Sequence, residues 1–122
     1  MRRDMELVRK ILIALEEHEN AFRPIPLSIE GIDGYTKEQV KYHLKLMHQA
    51  GLIEAMKLSS FGGEEWVVKS LTWQGHEFLD AAKNDTIWNS VKTKLKEQGA
   101  NIPFDVLKEL LKQAAKKYFM GQ

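Results

Sequence analysis

The stretch Y-T-K-E-Q-V-K-Y-H-L-K-L-M-H-Q-A-G-L-I, residues 35–53, decides how the chain is read. It spells one helix closed by a glycine and followed by a strand. Thr36 suits the N-cap, because its hydroxyl accepts from backbone N–H groups that the first helical turn leaves unpaired. Gln39 stands where its side chain reaches back to complete a capping box, and Tyr35, just ahead of the cap, is placed to act as a staple. Val40, Leu44 and Met47 recur at helical spacing and form the expected core stripe. Gly51 supplies the left-handed conformation that closes a helix, and Leu52-Ile53 turn the pattern extended. Lys37, Lys41, Lys45 and His48 fall within one narrow sector, expected to face away from the core, with Tyr42 and Gln49 beside it.

The cap, the polar face, the H-L-x-x-M run from His43 to Met47 and the A-G-L-I at 50–53 together resemble the recognition helix and first wing strand of winged helix-turn-helix domains. That resemblance implies an α+β, mostly helical fold: a winged helix-turn-helix with a two-stranded β-hairpin wing and additional C-terminal helices. It also implies double-stranded DNA as partner. The helix over residues 36–50 would enter the major groove. There Gln39 and Tyr42 reach base edges, Lys37, Lys41 and Lys45 neutralise phosphates, and Thr36 donates to a phosphate oxygen at the helix N-terminus. His48 completes the DNA-binding set. A lysine-rich face is equally what any surface helix needs to stay solvated.

Composition sets the outer bounds. The 122 residues fit one compact domain, or a small one with a helical arm, and 43% hydrophobic residues can fill a core. The absence of cysteine excludes disulfides and thiolate metal sites and fits a cytoplasmic location. No apolar run approaches the ~20 residues of a membrane span, and the acids at Asp4 and Glu6 come too early for a signal peptide. The net charge is only +1, but it is unevenly spread. Residues 36–58 carry +2 and residues 86–122 carry +4, against −2 over 1–35 and −3 over 59–85. Attraction to phosphate would therefore be local, on the reading helix and the C-terminal arm.

Before the reading helix, residues 3–18 predict a helix with Met5, Val8, Ile11, Leu12 and Leu15 on its apolar stripe, fraying near His18 to Asn20. In the winged-helix plan it supports the reading helix from behind. Pro24 and Pro26 favour extended chain, and Ile25, Leu27 and Ile29 alternate as in a short strand. One short helical turn begun by Ser28 fits where the plan places a full helix. After the reading helix, residues 53–58 and 65–71 predict two strands, with Gly62-Gly63 permitting a tight turn. This is the expected wing, with Lys57 and Lys69 on its strands and Phe61, Gly62 and Gly63 at its tip. Glu64 and Glu65 near the tip would repel DNA, and Phe61 suits a protein partner better than phosphate.

Thr72 predicts the cap of a further helix whose Trp73, Phe78, Leu79 and Ala82 return to the core. The run L-T-W-Q-G-H-E-F-L at 71–79 resembles the L-T-x-x-G-x-x-F-L that follows the wing in many winged-helix proteins. Gly75 early in that helix costs roughly 1 kcal/mol against Ala, which a close backbone approach would explain. Asn84-Asp85-Thr86 breaks the pattern and caps a helix with Ile87, Trp88, Val91 and Leu95 on its stripe, ended by Gly99. The sequence thus divides into a winged-helix domain, 1–83, and a C-terminal helical extension, 84–122. The opening R-R-D-M-E-L-V-R-K-I-L, the 71–81 run and N-D-T-I-W-N at 84–89 together resemble an uncharacterised family of small bacterial and prophage winged-helix proteins. That resemblance covers nearly the whole chain and brings no catalytic residues.

The last helix is expected to open with Pro103 in its first turn and Asn101 as a nearby cap. Phe104, Leu107, Leu111 and Tyr118 lie on a wide apolar stripe that either covers its own domain or pairs with a second copy in a homodimer. Lys108, Lys112, Lys116 and Lys117 fill much of the remainder, but Asp105 and Glu109 argue against a membrane surface.

Catalytic constellations are missing from the sequence. His43 and His48 are not spaced as an i, i+4 metal pair, and His43 reads as a packed histidine and His76 as a surface or capping group. There is no phosphate loop, no G-x-G-x-x-G and no G-x-S-x-G, so neither an enzyme, a cofactor nor a metal is expected. The leading expectation is a DNA-binding transcriptional or phage regulator. The rival is a protein-interaction adaptor or phage accessory protein that keeps the fold without binding DNA.

Overall fold

The computed structural model describes residues 1–18, 32–60, 63–97 and 102–121. Among them lie α1 (Met5–His18), α2 (Lys37–Gln49), β1 (Ile53–Ser60), β2 (Gly63–Leu71), α3 (Trp73–Ala82), α4 (Asp85–Glu97) and α5 (Phe104–Met120). The fold class of these residues is α+β and mostly helical, with five helices and one two-stranded antiparallel sheet. The expected strand at Ile25 to Ile29, the turn at Ser28, the tip residues Phe61 and Gly62, and the Gly99 and Asn101 signals lie outside the described residues.

The chain forms two compact units, Met1–His76 and Glu77–Gln122, with the division inside α3. In the first unit α1 packs on α2, and α2 packs on both strands. Asp4 caps α1, its Oδ1 accepting from the N–H groups of Glu6 (2.9 Å) and Leu7 (3.3 Å). The buried face of α1 carries Val8, Ile11, Leu12 and Leu15 as the spacing predicts. Leu7 joins them and is wholly buried, while Met5 is only half-buried.

The strands pair from Ile53↔Leu71 to Ser60↔Gly63, with a bulge between Glu54 and Ala55. The hairpin is longer than its sequence signal, because the polar residues flanking the glycines still extend the ladder. Ile53, Trp66, Val68 and Leu71 are buried, whereas Met56 and Leu58 are 43% and 49% exposed.

The junction from α2 to α3 is tight. Thr72 donates its N–H to the Leu52 carbonyl (3.0 Å) and its hydroxyl to the Gly51 carbonyl, and its Oγ1 accepts from the N–H of Gly75 (3.0 Å). A Cβ on Gly75 would stand 2.0 Å from the Leu52 carbonyl oxygen, so the helix can begin here only with glycine at that position. Trp73 does not return to the core: it is 76% exposed. At about 100° per residue it points away from the sector shared by Phe78, Leu79 and Ala82, all buried.

In the second unit α4 packs on α5. Asn84 caps α4, its Oδ1 accepting from the Ile87 N–H (3.0 Å). Ile87, Trp88 and Val91 are buried as expected, and Leu95 is half-buried. Pro103 occupies the N-cap position of α5 rather than its first turn and brings no side-chain cap. Leu107 and Leu111 are buried. No helix among the described residues is long and apolar enough to cross a membrane.

Candidate nucleic-acid interface

Helix α2 is fixed at its start by the capping box that the sequence spells. The Gln39 N–H donates to Thr36 Oγ1 (3.1 Å), and the Thr36 N–H donates to Gln39 Oε1 (2.8 Å). The box has a consequence for recognition. A glutamine that reads adenine bidentately needs both its amide oxygen and its amide nitrogen. Gln39 has committed its oxygen to the cap, so it offers a base edge only its N–H donors.

The inner face is His43, Leu44 and Met47, all buried, with Val40 half-buried. His43, 1% exposed, ties α2 to the start of α1. The Asp4 N–H donates to its Nε2 (2.8 Å), and its Nδ1 lies 2.7 Å from the Gln39 carbonyl oxygen. A backbone N–H can only donate, so Nε2 accepts and Nδ1 carries the proton donated to Gln39. The reading of His43 as a packed histidine therefore holds. The Tyr35 hydroxyl donates to Asp4 Oδ2 (3.1 Å), and Lys10 Nζ lies 5.5 Å from the Tyr35 ring centre. Partial burial, then the Asp4 hydrogen bond and the nearby Asp4 and Glu6 charges, push the Tyr35 hydroxyl above its usual value near 10.

The expected cationic sector is not opposite the core. At about 100° per residue Lys41 and His48 lie within about 60° of the buried Leu44, on the flank of α2 that meets the hairpin. Lys41 Nζ pairs with Glu65 Oε1 at 2.7 Å, both side chains being about two-fifths exposed. The His48 ring lies 5.4 Å from that of Trp66. Adjacent residues at the start of β2 thus engage two of the expected DNA-binding groups. Lys37 and Lys45 are exposed, with Glu38 and Gln49 also exposed and Tyr42 half-buried edge-on to His43 (5.7 Å). Thr36 is exposed at the cap.

Of the expected wing residues, Lys57 and Lys69 are exposed on the strands, Lys57 sits opposite Trp66 in register, and Gly63 has φ +108°. Of the residues expected to pair two copies, Leu107 and Leu111 are buried within the single chain, and the Phe104 ring stacks on Phe78 (5.4 Å) beside Lys108 Nζ. Only Tyr118 is presented, half-exposed and edge-on to Phe119. Among the described residues no group of three or more histidines or acids could hold a metal ion.

Sequence reasoning missed Glu65, Trp66 and Asp4 as partners. Each contact joins residues distant in the chain, and the only available signal was the acid near the wing tip, which reads first as a repellent of DNA.

Residues 2–101 match a family described as hypothetical proteins, DUF2513, and the chain belongs to that family. An uncharacterized protein of Haemophilus influenzae is 42% identical over 110 residues, covering 90% of this chain and 92% of the relative. No solved structure matches.

Proposed function

We propose that the chain is a small winged-helix DNA-binding protein, a bacterial or phage regulator that presents α2 to the major groove with the β1–β2 hairpin as its wing. One observation carries the reading. A capped helix with Lys37 and Lys45 exposed ends on Gly51 at φ +76° and runs directly into an antiparallel hairpin. Lys37 and Lys45 meet phosphate first, Tyr42 and Gln49 flank Lys45, and the Gln39 amide N–H groups remain for a base edge. Fluorescence anisotropy with a labelled random duplex at low salt tests this. The chain binds, and replacing Lys37 and Lys45 with alanine weakens binding about tenfold or more, as expected when two phosphate contacts are lost.

A second reading, the protein-interaction adaptor, is favoured by Met56 and Leu58, alternate residues of β1 that are nearly half exposed. A solvated strand face ordinarily carries polar side chains there. Absence of duplex binding at ~50 mM salt, where phosphate contacts are strongest, selects the adaptor.

A further inference from the structure

We propose that Glu65 is an internal phosphate surrogate: it holds Lys41 in the unbound protein and sets how readily α2 accepts a nucleic-acid backbone. The inference rests on the DNA-binding reading and adds a regulatory residue to the same surface. Of the expected phosphate-binding trio, Lys41 has its ammonium paired to an acid among the described residues, 2.7 Å from Glu65 Oε1. That distance is typical of a charge-assisted hydrogen bond. The pair is neither buried nor loose: each side chain keeps about two-fifths of its surface in solvent, so an incoming phosphate oxygen can reach the ammonium and displace the carboxylate. Both competitors are anionic oxygens accepting from the same N–H donors.

The displaced carboxylate does not vanish. It stays on β2, next to Trp66, whose contact with His48 keeps this strand against α2. Glu65 therefore opposes a backbone in two ways, by occupying Lys41 beforehand and by repelling phosphate afterwards. Binding that gains nothing but phosphate contacts bears the full cost. Binding that also gains base contacts overcomes it. Glu65 thereby lowers the affinity for any duplex by the same factor, so that only a site with added base contacts is held tightly.

The test is duplex binding across a salt series for the wild-type chain, E65Q, K41A and E65Q/K41A. Glu65→Gln keeps the length and hydrogen-bonding capacity and removes the charge. The folded state should be little changed, because an exposed ion pair contributes little. The expected result is affinity about two- to fivefold tighter at low salt, the range an exposed pair is worth. The log–log salt slope should steepen by about 0.9, one further phosphate. Lys41→Ala in the E65Q background should remove the gain. A wild-type chain that binds only weakly while E65Q binds well supports the proposal most strongly. It is overturned, with the DNA reading intact, if E65Q matches the wild type in affinity and slope, or if E65Q/K41A keeps the whole gain. Absence of binding by the wild type and E65Q alike overturns the DNA reading and this inference with it.

Discussion

Helices α2 and α5 are both amphipathic and lysine-bearing, yet they are held quite differently. Helix α2 is fixed about its axis at three levels: the reciprocal Thr36–Gln39 cap at its start, His43 bonded to Asp4 in its middle, and the Gly51 turn into β1 at its end. Helix α5 begins on Pro103 with no side-chain cap, buries Leu107 and Leu111, and leaves Tyr118, Phe119 and Met120 at least half exposed in its last turn. A lysine-rich face alone therefore says little about function. A recognition element must hold its side chains in fixed positions, and among the described residues α2, unlike α5, is constrained at its start, middle and end.

The contrast can be broken at several points, the strongest first. Gly75→Ala drives a Cβ into the Leu52 carbonyl just beyond the α2 exit, and backbone cannot step aside as a side chain can. Denaturant unfolding should show a loss of about 3 kcal/mol or more, the upper end of overpacking costs. On α5, Leu107→Ala should cost about 2–5 kcal/mol, whereas Phe119→Ala should stay within about 0.5 kcal/mol; equal losses would mean the last turn is packed after all. His43→Leu leaves the Asp4 N–H without its acceptor and should cost about 1–3 kcal/mol, measured by the same unfolding curves.

The smallest effect lies at alkaline pH. The Tyr35 hydroxyl is raised in the folded protein, which therefore holds that proton more tightly than the unfolded chain does. Its contribution is complete below about pH 10 and is lost as pH rises through the raised folded value. Tyr35→Phe should flatten that part of the stability profile, with the other tyrosines left in place. An unchanged profile would mean that the Asp4–Tyr35 bond does not bias the proton.

How much of this was legible in the sequence depended on how local the cause was. Thr36 and Gln39, Asn84 and Thr72 announce their caps because the partners lie within one helical turn. The close approach at Gly75 was readable as a glycine that a helix would otherwise reject, although its partner, Leu52, was not. Trp73 departs from expectation because its apolar side chain reads as core by chemistry alone, whereas its angle on the helix sets it away from Phe78 and Leu79. The lysine sector misled for a subtler reason. Spacing shows that Lys41 and His48 share a side, but which flank of α2 the hairpin leans on depends on strand packing. Glu65 and Trp66 claimed that flank.

The proposed contact of α2 with a polyanion runs through the exposed Lys37 and Lys45. The most direct test is the log–log salt dependence of binding to random duplex DNA, compared between the wild-type chain and K37A/K45A. The expected wild-type slope is about −2 to −3, at roughly 0.9 per phosphate, and the slope of the double variant is shallower by about 1.8. A wild-type slope near zero, or one that survives loss of both lysines unchanged, would contradict it.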